Sequence, residues 1–197
     1  MRALPNILTA ARLVLTLVVL LCLTFAAQTR DEAQLDLRVW AFFAFVVAAV
    51  TDFFDGWLAR RLNATSLLGA ILDPIADKVL VAAAIVGLIA SGLPQLALPG
   101  GLILFREFSV SALRETLAPR GLRLPVTTLA KWKTTLQLVG LAAMLFLLGW
   151  SWWGLPCDPK LQARAWTWAA TFFWLATAIT VWTGIEYAVA ARKALKG

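Results

Sequence analysis

Four aspartates stand close together in the segment TDFFDGWLARRLNATSLLGAILDPIADK, residues Thr51–Lys78: Asp52, Asp55, Asp73 and Asp77. At about 100° per residue, Asp52, Asp55, Gly56 and Ala59 share one helix face, and Gly69, Asp73 and Asp77 share one face of the next helix. The link between these helices is short, so they are expected to be antiparallel neighbours whose acidic faces converge. Carboxylates gathered in apolar surroundings need a counter-charge. No matching set of lysines lies beside them in the sequence, so a cation from solution is the natural candidate. All-oxygen donors suit a hard cation, Mg²⁺ or Mn²⁺. Four such groups have the capacity for two ions around a diphosphate. The small residues Gly56, Ala59 and Gly69 leave room for a ligand or for close helix packing. Pro74 removes a backbone hydrogen bond and should kink the helix at this point. The acids alone fit a cation or proton pathway equally well.

The elements that must position these acids are membrane helices. The chain of 197 residues is 61% hydrophobic and only 15% charged, too little charge to cover a water-facing surface. Apolar runs recur at Ile7–Ala27, Leu37–Ala59, Leu67–Ala90, Leu96–Leu117, Thr128–Trp150 and Ala165–Ala191. Each is near the roughly 20 residues that span a bilayer as a helix. The reading is a single all-α integral membrane domain over 1–197, a bundle of six transmembrane helices. Of the 18 Lys and Arg residues, only Arg30, Arg38, Lys160 and Arg164 fall on one side with its flanks. That asymmetry puts the other side, with both termini, in the cytoplasm. Trp150, Trp152, Trp153, Trp166 and Trp168 sit around the outer turn, where an aromatic belt anchors a membrane protein.

Composition also excludes chemistries. The chain has no histidine, so no imidazole serves as base or ligand. Cys22 and Cys157 are the only thiols, too few for a tetrathiolate zinc site. The net charge of +7 flanks apolar helices, which suits anionic lipid headgroups and not nucleic acid.

The aspartates belong to a longer pattern, D-x2-D-G-x2-A-R-x8-G-x3-D-x3-D. It reads here as Asp52, Asp55, Gly56, Ala59, Arg60, Gly69, Asp73 and Asp77. This resembles the signature of the CDP-alcohol phosphotransferases. Leu4–Arg12 (LPNILTAAR), Phe105–Glu115 (FREFSVSALRE) and Lys131–Gln137 (KWKTTLQ) are similar to blocks of the branch of that family that uses glycerol 3-phosphate. The opening block and the signature are shared with the branch that uses phosphatidylglycerol. The C-terminal third adds only hydropathy.

The resemblance implies a six-helix membrane fold, usually a homodimer, in the bacterial plasma membrane. It implies a cytoplasm-facing site with two divalent ions, Mg²⁺ or Mn²⁺. CDP-diacylglycerol would place its diphosphate there, attacked by a hydroxyl with release of CMP. Asp52, Asp55 and Asp73 would hold the ions with Asp77 contributing, and Asp77 is the resemblance-based general base. Its ordinary pKa of about 3.9 makes it a weak base, so metal and orientation must do much of the activation. Arg60 is a candidate for the CDP phosphates, with Gly56, Ala59 and Gly69 giving room. Asn6, Thr9 and Arg12 form a polar stripe that lines the nucleotide pocket or pairs with the acids.

An anionic acceptor, sn-glycerol 3-phosphate, calls for cations: Arg106, Arg114, Lys131 and Lys133. An unpaired arginine as deep as Arg106 is costly, which makes a phosphate partner reasonable. Glu107 is expected to point elsewhere on the helix. Lys131 and Lys133 lie about 200° apart, so one of them faces the pocket, and Lys131 is favoured. A phosphatidylglycerol acceptor is the alternative within the family. A carboxylate-lined cation transporter is the alternative from another class.

Overall fold

An apolar run of about 20 residues satisfies its backbone hydrogen bonds within a membrane only by becoming a helix. The computed structural model shows that outcome. It describes residues 4–62, 67–118 and 128–194, with side chains for 7–52, 72–118 and 132–193. Among these residues there is no strand. The helices are α1 (Leu4–Gln28), α2 (Glu32–Leu62), α3 (Leu67–Ala90), α4 (Ala97–Leu117), α5 (Thr128–Leu148) and α6 (Pro159–Ala194). A 3₁₀ turn, Pro94–Leu96, leads into α4.

Four stretches are long and apolar enough to cross a bilayer: Ile7–Gln28, Glu32–Asp52, Pro94–Leu117 and Pro159–Lys193. The apolar part of α5, Trp132–Leu148, is shorter, and α3 carries Asp73, Asp77 and Lys78. Only 28–33% of each of the four is buried. Trp40, Phe105 and Trp168 are 65%, 74% and 75% exposed on their outer faces. An apolar exterior of this kind fits lipid and not water.

α1 packs along both α2 and α3, which among the described residues touch each other much less. The expected convergence of the acidic faces is seen at Asp52 of α2 and Asp77 of α3, whose side chains are in direct contact and share Arg12 of α1. α5 packs against α6 and α2, and α4 against α6. The shared core runs through Leu23, Phe45, Leu80, Ile85, Ile103, Leu141 and Phe173, all at most 2% exposed. With lipid as solvent, burying apolar area between helices gains little, and close packing supplies the attraction. Gly87 of α3 shows this, because a Cβ there would run into the Leu23 side chain of α1. Gly100 of α4 meets Ile85 of α3 in the same way.

The turns at the end away from the aspartates are defined. Gly92 closes α3 with φ +99°. The Gly92 N–H bonds to the Ile89 carbonyl at 3.1 Å and the Leu93 N–H to the Leu88 carbonyl at 3.2 Å. This is the paired closure that needs a left-handed residue, hence glycine. The Trp-rich turn does more than anchor. Trp153 stacks on Phe146 at 4.8 Å, and its Nε1 donates to the Phe146 carbonyl at 2.9 Å. Trp150 is 9% exposed, while Trp152 and Trp168 face outward. Two tryptophans thus cap the bundle, and the exposed ones remain for the interface.

Glycine packing can be checked by opposite signs. A Gly→Ala change in an open helix gains about 1 kcal/mol of propensity, whereas overpacking costs about 1–3 kcal/mol. Gly87→Ala is therefore expected to lower the melting temperature in detergent, with partial recovery on adding Leu23→Ala. Gly101→Ala, which has no neighbour within 4 Å of the new carbon, should leave it equal or higher.

Candidate active site

The up-and-down path of the helices gathers the charged side chains at one end of the bundle. α1 contributes its start, α2 its far end, α3 its start, α4 and α6 their C-terminal halves and α5 its start. Two adjoining sets result, one dominated by carboxylates and one by cations.

The carboxylate set is organised by Arg12. Its side chain is fully buried, and one nitrogen, Nη1, lies 2.6 Å from Asp52 Oδ1 and 2.9 Å from Asp77 Oδ1. One turn earlier on α1, Thr9 Oγ1 donates to Asp73 Oδ1 at 2.6 Å. Thus, among the described residues, α1 touches Asp52, Asp73 and Asp77. The polar stripe on α1 faces the acids, and part of the counter-charge expected from solution is supplied by the chain. Asp52 and Asp77 keep side-chain exposures of 36% and 46%, and Asp77 lines a cavity. Asp77 also lies within electrostatic reach of both Asp52 and Asp73.

Asp55, Gly56, Ala59 and Arg60 fall within α2, Gly69 within α3, Lys131 within α5 and Asn6 within α1. Their side chains lie outside the described residues. Among the described residues no three acidic or thiol side chains form a ready metal cage. The donor chemistry still fits a divalent cation. Asp52, Asp73 and Asp77 present oxygen only, and Arg12 is the cation this geometry sets against that group.

The cationic set faces a cavity of about 400 Å³ that also reaches Asp77. Arg106, Arg114 and Lys133 all line it. Arg106 is 7% exposed and Lys133 4%. Of the two candidate lysines, Lys133 lines the cavity, while the side chain of Lys131, the one favoured from the sequence, lies outside the described residues. The expectation for Glu107 is corrected. Its Oε1 accepts from Lys133 Nζ and lies 3.5 Å from Arg106 Nη1. The helical offset of Glu107 from Arg106 turns it toward α5, where a buried lysine needs a partner. Glu107 therefore lines the cavity with the cations.

The sequence reading missed α6. Thr183 Oγ1 accepts from Arg106 Nη2 at 3.2 Å, and the Tyr187 hydroxyl accepts from Arg114 Nη2 at 2.6 Å. Thr180 Oγ1 accepts from Gln137 Nε2 at 2.6 Å. A signal was present, because Thr177, Thr180, Thr183 and Tyr187 recur at three- and four-residue spacing in an apolar helix. All four are buried.

Residues 2–182 match the profile of the family described as CDP-alcohol phosphatidyltransferase. A protein of Cereibacter sphaeroides is 49% identical over 148 residues, 74% of this chain and 63% of the relative. A protein of Rickettsia bellii is 43% identical over 142 residues, 72% of this chain and 74% of the relative. A protein of Salmonella choleraesuis is 37% identical over 196 residues, 95% of this chain and 94% of the relative. Each of the three is named a CDP-diacylglycerol–glycerol-3-phosphate 3-phosphatidyltransferase. The match thus spans less than two thirds of the first relative's length and nearly all of the third's.

The Arg12 arrangement has a direct test. Removing one partner of a buried ion pair costs about 3–5 kcal/mol, and less here because both carboxylates are partly exposed. Arg12→Met should lower the melting temperature of the full-length protein in detergent with chelator present. Millimolar Mg²⁺ or Mn²⁺ should then raise it more in the variant than in the wild type. Equal metal-induced shifts in the two proteins would show that Arg12 does not neutralise the carboxylates.

Proposed function

The chain belongs to the CDP-alcohol phosphatidyltransferase family, and on that premise we propose that it transfers the phosphatidyl group of CDP-diacylglycerol to sn-glycerol 3-phosphate, giving phosphatidylglycerophosphate and CMP. The observation that carries this reading is the single cavity shared by Asp77 with Arg106, Arg114 and Lys133. A carboxylate beside a cationic wall suits an acceptor with a hydroxyl at one end and a phosphate at the other. The names of the relatives specify the same pair of substrates.

The reaction needs the acceptor's primary hydroxyl oriented at the phosphorus that carries diacylglycerol. Its oxygen forms the new bond to that phosphorus, the anhydride bond to CMP breaks, and CMP leaves with that bond's electron pair. Asp77 takes the hydroxyl proton. Arg106, Arg114 and Lys133 hold the acceptor's phosphate, so the hydroxyl at the opposite end of the three-carbon chain points toward Asp77. Holding the two reactants in this geometry removes much of the entropic part of the barrier. On α2, Arg60 is assigned to the CDP phosphates, with Gly56 and Ala59 on the same helix leaving room. Gly69 of α3 and Asn6 and Thr9 of α1 complete this wall.

The family is divalent-metal dependent. Asp52, Asp55, Asp73 and Asp77 would hold the metal, as two Mg²⁺ or Mn²⁺ ions. Bound there, it supplies positive charge that offsets the diphosphate and the leaving CMP. The all-oxygen donor set supports this assignment, and Arg12 then fixes the positions of Asp52 and Asp77 as the second charge of the same cluster.

The long apolar helices and the bacterial relatives make this a bacterial membrane protein. We read all six helices as spans, with both termini and the site at the cytoplasmic face and two chains forming a homodimer. The basic-residue asymmetry and the gathering of charge at one end support that orientation.

CMP release by purified protein with CDP-diacylglycerol and Mg²⁺, with the acceptor varied, tests the reaction. Release is expected with sn-glycerol 3-phosphate and not with phosphatidylglycerol, serine or no acceptor. Release with phosphatidylglycerol alone would overturn the acceptor assignment, and no release at all would return the aspartates to ion transport. Asp77→Asn should abolish turnover while leaving CDP-lipid binding close to normal. Arg106→Ala should raise the KM for glycerol 3-phosphate at least about tenfold and that for CDP-diacylglycerol far less.

A further inference from the structure

We propose that Tyr187, with Thr183 and Gly184 on the same part of α6, is the positioning residue that makes Arg106 and Arg114 one clamp for the dianion of a phosphate monoester. This rests on the reading that those arginines face the acceptor's phosphate.

Arg106 and Arg114 are eight residues apart on α4, about 12 Å along the axis and about 80° around it. Left to α4 alone, two such side chains diverge and repel. The Tyr187 ring, 3% exposed, brings them together. The centre of the ring lies 5.3 Å from Arg106 Cζ and 4.9 Å from Arg114 Cζ. Its hydroxyl accepts from Arg114 Nη2 at 2.6 Å, and Thr183 accepts from Arg106 Nη2 at 3.2 Å. Gly184 lets the Arg106 stem lie against the α6 backbone, because a Cβ there would stand 2.7 Å from Arg106 Cγ.

The choice of an aromatic ring has a consequence. The ring face attracts both guanidiniums through its quadrupole, yet it carries no net charge. A carboxylate in the same place would hold them equally well and neutralise them. Glu107 does take up Lys133 and lies at the edge of Arg106, 3.5 Å away. Arg106 Nε remains buried with no hydrogen-bond partner. A phosphate monoester brings two charges and three terminal oxygens to such a pair. A phosphodiester brings one charge and a second ester branch. The clamp therefore selects a small phosphorylated alcohol over a phosphodiester lipid as acceptor.

The test uses full-length protein in detergent with Tyr187→Phe and Tyr187→Leu. Tyr187→Phe keeps the ring and loses one hydrogen bond, so the KM for glycerol 3-phosphate should rise roughly three- to tenfold. Tyr187→Leu loses the ring as well, and the rise should reach about thirtyfold or more. In both, kcat and the KM for CDP-diacylglycerol should stay within about twofold of wild type. A glycerol 3-phosphate KM unchanged by Tyr187→Leu, or both KM values rising together, would show that Tyr187 only packs the helix. If Tyr187→Leu fails to fold, Tyr187→Phe decides by the same split. Calorimetric titration with inorganic phosphate separates the clamp from the acceptor assignment. Phosphate binding weakened about tenfold or more by Tyr187→Leu upholds the clamp whichever acceptor is turned over. Binding equal in wild type and variant, or absent from wild type, overturns it.

Discussion

The buried guanidinium of Arg12 is the interaction on which the rest of the arrangement depends. It joins three helices through one side chain, because it is rooted on α1 and contacts Asp52 of α2 and Asp77 of α3. Neither partner is tolerable alone at this place. A fully buried arginine without an anion, or adjacent carboxylates without a cation, would each carry a desolvation penalty of several kcal/mol. Together they fix the rotation of α1 between its neighbours, and Thr9 on the same stripe then meets Asp73. The depth and orientation of the acidic set follow from that placement.

The bundle around it is built for lipid. Its large apolar side chains point outward in numbers that a water-soluble fold would not expose, and its interior relies on close approach. Gly87 against Leu23 and Gly100 against Ile85 let α1, α3 and α4 come together toward the end of the bundle away from the aspartates. The Schellman closure at Gly92 and the stacked Trp153 and Phe146 secure the opposite end. The close-packed end is therefore the apolar one, and the charged end can keep its cavity of about 400 Å³.

The positions of the helices were legible in the sequence because hydropathy is a property of each segment taken alone. All six apolar runs became helices at nearly the expected bounds. Which helix lies between which was not legible. A short link suggested that α2 and α3 adjoin, and Asp52 does meet Asp77, but that α1 packs along both helices follows from Arg12 engaging both acids at once, which hydropathy does not encode. The aspartates were legible from type and spacing, and so were Arg106 and Arg114. Glu107 was misplaced because a helical-wheel angle ignores the reach of a glutamate toward a buried lysine on α5. Tyr187 was passed over because a lone tyrosine in an apolar helix looks like packing until its two arginine neighbours are seen.

The two halves of the site share one electrostatic design with the signs exchanged. Among the described residues, the acidic half is ordered by a buried cation, Arg12, and the buried cations of the basic half by an anion, Glu107. Each guest charge is too small to cancel its surroundings but sufficient to order them. Asp52 and Asp77 stay partly exposed, and Arg106 keeps an unpartnered Nε. A site neutralised completely would be stable and would bind nothing, while one left wholly unpaired would be pushed apart by repulsion in a low dielectric. Partial internal pairing reconciles folding without ligands with affinity for charged ones. It also explains why the two sets adjoin. Each lowers the electrostatic cost of the other, and Asp77, which belongs to both, lies at the boundary where a reacting hydroxyl has to meet a phosphorus.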